Sequence, residues 1–181
     1  MDTWVWIVLA VVVLAAVALV AVAALRKRQS EQLREGFGPE YDRVVEETGD
    51  RREAERELAE RQKRHDELEI VPLSDQVRTR YAEEWRQVQA RFVDEPEPAV
   101  AEADALVQRV MSDRGYPVAD DFERRAADVS VDHPDVVQNF REGHRLAGAG
   151  DTESLRQAMV HYRALFEELL EGGHDREEVR T

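Results

Sequence analysis

Cysteine is absent from the 181 residues, which excludes disulfides and thiolate metal sites and leaves the fold to core packing alone. Lysine is nearly absent. Of 25 basic residues only Lys27 and Lys63 are lysine, and the arginines are interleaved with glutamate instead of clustered. Asp2 is the one charge ahead of Arg26, so the rest of the chain carries −13 of the formal −14. A surface of that sign repels phosphate backbones, which argues against nucleic acid as a partner and against lying flat on anionic lipid. No segment alternates with the period of two that a half-buried strand needs, and no repeat of solenoid length recurs.

Against these absences stands one long apolar run. Positions 4–25 form 22 successive apolar residues, opening with Trp4 and closing with Leu25. As a helix they span about 33 Å, enough for the ~30 Å hydrocarbon core of a bilayer. Trp4 and Trp6 suit the headgroup region at one end, and Arg26, Lys27 and Arg28 form a basic stop at the other. The positive-inside rule then puts the amino terminus outside and the carboxyl side in the cytoplasm. A cleaved secretory signal is the competing reading, because Ala21-Val22-Ala23 offers a small-x-small motif. Asp2 replaces the expected basic n-region, and the run exceeds an ordinary h-region of about 7–15 residues, so the anchor is preferred. Ala15, Ala18, Ala21 and Ala24 lack the glycine of a strong pairing motif and are expected to face lipid.

Beyond the run the pattern is helical throughout. Residues 26–35 should prolong the anchor helix until Gly36-Phe37-Gly38-Pro39 breaks it, and Pro39 should open a second helix stopped by Thr48-Gly49-Asp50. Residues 50–69 are charged almost throughout, with Ala54, Leu58, Arg61, His65 and Leu68 at coiled-coil intervals of four and three. Two polar seam positions predict a helix packed on the domain, or a short homotypic contact, instead of a long coiled coil. Ser74 should cap a helix striped by Val77, Tyr81, Trp85, Val88 and Phe92. After a hinge at 94–98, a helix carrying Val100, Leu106, Val110 and Met111 should run to Gly115-Tyr116-Pro117. A short helix is expected from about Ala119, another from Pro134 to Gly148-Ala149-Gly150, and a last one from Thr152 to Gly172-Gly173. The expected architecture is all-α: an N-terminal single transmembrane helix with its basic stop (1–28), juxtamembrane charged helices (29–73), a helical core domain (74–171) completing an acidic multi-helix bundle, and a flexible tail (172–181).

The five histidines are the natural place to seek chemistry. His144 and His161 fall at the edges of apolar stripes, where a hydrogen-bonded histidine is expected. Glu171 and His174 make the one Glu-x-x-His, but it straddles Gly172-Gly173, where a helix should end. Ser130-Val131-Asp132-His133-Pro134 holds the residue types of a catalytic triad, yet neighbours on one turn cannot converge on a reacting atom. Asp132 or His133 is expected instead to cap a helix at Pro134. Gly148-Ala149-Gly150 lacks the preceding strand and third glycine of a dinucleotide loop. Glu46-Glu47 and Glu167-Glu168 are adjacent on helices, about 100° apart, and read as solvated faces. Trp85 and Tyr162 should be core, while Tyr41 and Tyr116 lie near turns. The turn of residues 36–41 should be covered by its own aromatics. No catalytic, cofactor-binding or metal-ligating residue is assigned.

Four strings resemble an uncharacterised, mostly actinobacterial family of short membrane-anchored or exported helical proteins without assigned activity. They are Phe37-Gly38-Pro39-Glu40-Tyr41-Asp42-Arg43, Arg114-Gly115-Tyr116-Pro117, Ser130-Val131-Asp132-His133-Pro134 and Met159-Val160-His161-Tyr162-Arg163. The resemblance implies a bacterial source and supplies no catalytic residues. The function expected is that of a single-pass cell-membrane protein whose cytoplasmic helical domain is a tethered protein-interaction module. Its partners would be the lipid bilayer through the first helix and a membrane-associated protein or a second copy. The alternatives are a small-ligand-binding or enzymatic bundle, or an exported soluble protein after signal cleavage.

Overall fold

The structure, a computed structural model, describes residues 3–118 and 121–171, and within the first helix it describes no side chain at 3, 5–11 or 15. Its elements are α1 (Thr3–Phe37), α2 (Pro39–Thr48), α3 (Arg51–His65), α4 (Asp75–Arg91), α5 (Pro96–Asp113), α6 (Phe122–Asp132), α7 (Val137–Ala147) and α8 (Thr152–Glu171). No strand occurs among the described residues, and the chain is a helical bundle.

Local chemistry sets most of the boundaries. Gly38 takes φ 45° between α1 and α2, where a side chain would be strained, and Pro39 follows at the start of α2. Gly49 closes α2 in the left-handed conformation and donates its N–H to the Val45 carbonyl. Asp50, Ser74 and Asp121 each cap a following helix by accepting a backbone N–H, from Arg52, Val77 and Arg124 respectively.

The start expected at Ala119 lies outside the described residues, and α6 begins at Phe122 behind its Asp121 cap; two other boundaries depart from the expected ones. The charged helix α3 ends at His65, because the Glu67 and Leu68 N–H groups turn back to Arg64 and His65 and release the chain into an extended passage. Pro134 does not open a helix either. It sits in a turn in which Val136 and Val137 donate to the His133 carbonyl, and α7 begins only at Val137.

The helices bury two hydrophobic clusters. The larger lies among α4, α5, α7 and α8, with Trp85 stacked on Phe166 (centroids 4.6 Å apart) and Leu106, Val110, Phe140, Tyr162 and Leu165 fully enclosed. The smaller joins the C-terminal part of α1 to α2 and α3 through Phe37, Tyr41, Val44, Ala54 and Leu58. Phe37 and Tyr41 therefore cover their own turn, as expected. The coiled-coil face of α3 is spent on this packing, its buried residues being Ala54, Leu58, Arg61 and His65. Helix α6 divides the two clusters: Ala126 and Val129 face the larger, while Val131 packs against the smaller.

The apolar run lies in α1, where the large side chains described are exposed, among them Leu14 (68%), Leu19 (72%) and Val20 (70%). Taken over the described side chains alone, which exclude positions 5–11 and 15 of that run, no helix is long and apolar enough to cross a membrane.

After α5 the chain passes against the segment that follows α3, where Val71 donates its N–H to the Arg114 carbonyl (2.9 Å). Gly115 takes φ 99° there, and a Cβ on it would come within 2.3 Å of the Glu69 carbonyl oxygen. Both the backbone conformation and the space demand glycine. Gly115→Ala should therefore lower stability by about 2–4 kcal/mol, the combined scale of backbone strain and overpacking, read as a reduced urea midpoint of the full chain.

Candidate functional site

Between the two clusters runs a seam of buried charge, and its centre is Glu40. Pro39 starts α2 and places Glu40 in the first turn, on the face turned inward, where its side chain is 1% exposed. Its carboxylate accepts from Arg43 Nε (2.8 Å) and Nη2 (2.6 Å), from Arg61 Nη1 (2.8 Å), and from Arg141 Nη1 (2.9 Å) and Nη2 (3.0 Å). One carboxylate thus holds three guanidiniums from α2, α3 and α7. The surplus positive charge is met at the edges, where Glu47 pairs with Arg43, Glu57 with Arg61, and Glu123 lies 3.8 Å from Arg141. Burial alone would raise the Glu40 pKa. Hydrogen bonds and charge from Arg43 and Arg141 outweigh that and hold it below the usual carboxylate range.

The seam continues along α6. The Asp132 carboxylate oxygen Oδ2 accepts from the Tyr116 hydroxyl and lies 2.7 Å from His65 Nε2, while Arg64 stands 4.0 Å from Asp128. On the other side of the same turn, His133 is 4% exposed, with Nδ1 3.0 Å from Glu168 Oε1 and Nε2 3.3 Å from Arg114 Nη1. A guanidinium can only donate, so Nε2 accepts and Nδ1–H donates to Glu168, which fixes the neutral tautomer. Burial pushes the His133 pKa down and the Arg114 charge adds to this, against the pull of Glu168. Arg114 Nη1 also donates to the Leu169 carbonyl (3.0 Å), a cation at the C-terminal end of α8 where the helix dipole favours one.

The expected capping role of the Ser130-to-Pro134 string is corrected by this geometry. Asp132 is the last residue of α6 and reaches across to α3, and His133 points to α8, so neither caps α7. Ser130 donates to the Ala127 carbonyl. The three side chains thus point to three different places, and no triad forms. His144 is exposed and stacked on Phe122 (3.8 Å, 9°) instead of sitting hydrogen-bonded at a stripe edge, while His161 Nδ1 lies 2.8 Å from Asn139 Oδ1, as a hydrogen-bonded histidine should. Trp85 and Tyr162 are core, and Tyr41 and Tyr116 prove equally buried. Glu168 is not a purely solvated carboxylate, since it takes the His133 N–H.

Of the anchor residues, Trp4, Leu25, Arg26, Lys27 and Arg28 are exposed, and the Trp6 side chain lies outside the described set. His174 and the tail do too. Among the described residues no group of three histidine, aspartate or glutamate side chains could hold a metal ion. Chemically the seam is a clamp: its carboxylates are occupied by cations and donors from other helices, and it aims no nucleophile and base at a common point. An open cleft of ≈ 1160 Å³ lies elsewhere, between α1 and α3. No family model, curated protein or solved structure matches the chain.

Two outcomes follow for the clamp. Glu40→Ala leaves Arg61 and Arg141 buried with only the edge carboxylates Glu57 and Glu123 near them and should cost about 3–5 kcal/mol in urea unfolding, with Glu40→Gln intermediate. His133, ordinarily near 6.5, is depressed in the folded chain, so below that value the unfolded state binds the proton first. Its contribution to stability is full above pH 6.5 and declines as pH falls through the folded pKa. The melting temperature should accordingly drop between neutrality and about pH 5.5, a range above ordinary carboxylate titration, and His133→Gln should flatten that slope.

Proposed function

We propose that this chain is a single-pass membrane protein whose helical domain works as a protein-interaction module held at the cytoplasmic face of the membrane. The observation that carries the reading is α1. Its apolar run is part of one continuous helix, its described apolar side chains are exposed, and among the side chains described along α1 the buried ones are Ser30 and Phe37. Surface that apolar needs a cover, and a bilayer supplies one of matching length, bounded by Trp4 and by Arg26, Lys27 and Arg28.

Tethering confines the domain to a thin layer and raises its effective concentration toward a membrane-associated partner. The net charge of −14 favours a basic partner surface. The carboxylates of the buried seam are committed to pairing with other elements, which favours a binding surface over catalysis inside the bundle.

Crosslinking in living cells, with tagged full-length protein compared with a version lacking residues 4–25, should recover a stoichiometric partner only with the full chain. Its association should weaken as salt is added. Recovery of the same partner without the anchor would count against tethering, and an association indifferent to salt would count against the acidic surface. A label applied from outside the cell and found at the carboxyl end would reverse the orientation.

A further inference from the structure

The net charge of the chain hides a local exception. The cleft between α1 and α3 is lined by seven basic side chains and four acidic ones, a positive surplus in a protein of charge −14. The acidic side chains there are partly spent: Glu55 accepts from Ser30, Tyr41 and Arg51, and Glu31 lies 3.8 Å from Lys27. By contrast Arg26, Arg52, Arg56 and Lys63 are exposed, with no carboxylate within 4.0 Å among the described residues. Since charge is screened over about 8–10 Å at physiological salt, a ligand in the cleft experiences this surplus more than the distant acidic surface.

The cleft also lies at a definite level along α1. Arg51 Nη2 donates to Ser30 Oγ, which fixes the N-terminal end of α3 beside α1 at Ser30. Ser30 is four residues, about 6 Å, beyond Arg26. If α1 leaves the bilayer core at the basic stop, that distance is comparable with the headgroup layer, about 5–7 Å on each side. Arg52, next to that contact, then stands near the depth of lipid phosphates, and Arg56, one turn or about 6 Å farther along α3, lines the same cleft; both suit phosphate by planar, bidentate hydrogen bonding.

We infer that the cleft between α1 and α3 binds the headgroups of anionic phospholipids, with Arg52 and Arg56 as phosphate-binding residues alongside Arg26. The inference rests on the anchor reading above and extends it. The helix that enters the membrane and the helix packed beside it form one binding surface, so the acidic domain stands on the bilayer by a basic foot.

The test uses full-length protein in vesicles of phosphatidylcholine containing a minority of phosphatidylglycerol, with a photoactivatable group on the headgroup of either lipid. Crosslinked peptides are mapped by mass spectrometry. The phosphatidylglycerol probe should label residues 51–65 at least about fivefold more than the phosphatidylcholine probe, the preference one basic group gives near an anionic surface. Arg52→Gln with Arg56→Gln should bring the two probes near parity there while labelling around residues 26–28 persists. Both positions are exposed and form no ion pair among the described residues, so an unchanged melting temperature confirms that the variant folds. Equal labelling of residues 51–65 by both probes in the unaltered protein, or a preference that survives the double substitution, overturns the site while leaving the anchor intact. Failure of the protein to remain in the vesicles through alkaline extraction overturns the anchor reading and this inference with it.

Discussion

A carboxylate removed from water must be matched by positive charge, and the relation between the two helical layers depends on how Glu40 meets that demand. It lies on α2, in the layer formed with α1 and α3, and its partners come from α2, α3 and α7. The small cluster around Phe37, Tyr41 and Leu58 is too slight to hold three helices by apolar burial alone. Arg141 therefore helps to bind that layer to the bundle, together with the His65–Asp132 and Arg64–Asp128 pairs. Because the attraction requires defined directions of approach, it also fixes how the layers are set against each other, which apolar contact alone specifies less sharply. Hydrophobic burial supplies the cohesion and the ion cluster supplies the register.

Helix α6 shows the same division on a single element. Its residues Ala126 to Ser130 are all buried, although an isolated amphipathic helix would bury only one face. The apolar side chains face both clusters, and the polar ones bridge them, with Asp128 toward Arg64, Asp132 toward His65 and Tyr116, and the adjoining His133 toward Glu168 and Arg114. Such an arrangement is costly if incomplete, since a buried polar group without its partner loses water and gains nothing in return. The carboxylates of the seam are matched in this way, whereas Arg64, Arg114 and Arg141 each keep a buried Nε without a hydrogen-bond partner, so the pairing is dense but not complete.

Much of the helical framework was legible because its signals are local. Pro39, Gly49, Asp50 and Ser74 announce their boundaries by backbone preference and capping chemistry, and the stripe from Tyr81 to Val88 announces a buried face by its period. The seam was not legible, because the pairs that join one element to another link residues 16 to 101 positions apart. Arg61 and His65 did give a sign: polar groups at the buried positions of a regular apolar pattern need partners across an interface. Asp132 and His133 were misread as caps because a proline beside an aspartate is usually a local helix signal, and tertiary pairing overrode it. Pro134 itself was overruled by the turn that carries His133 into the interior. Glu40 looked like an ordinary first-turn acid, and nothing within one helix distinguishes it from an exposed one.

The continuity of α1 has a geometric consequence for whatever the protein does at a surface. From Thr3 to Phe37 the helix is unbroken, so the part that packs against α2 and α3 is joined to the apolar part by a stiff shaft. Each residue along such a shaft turns the direction of the next by about 100° and advances it by about 1.5 Å. The number of residues between Leu25 and Ser30 therefore sets the azimuth at which the bundle is presented, as the teeth of a gear set its phase. A Gly-Ser tether would let the bundle sample every heading; this chain offers one, and carries any roll or tilt of its first helix into the layers beneath.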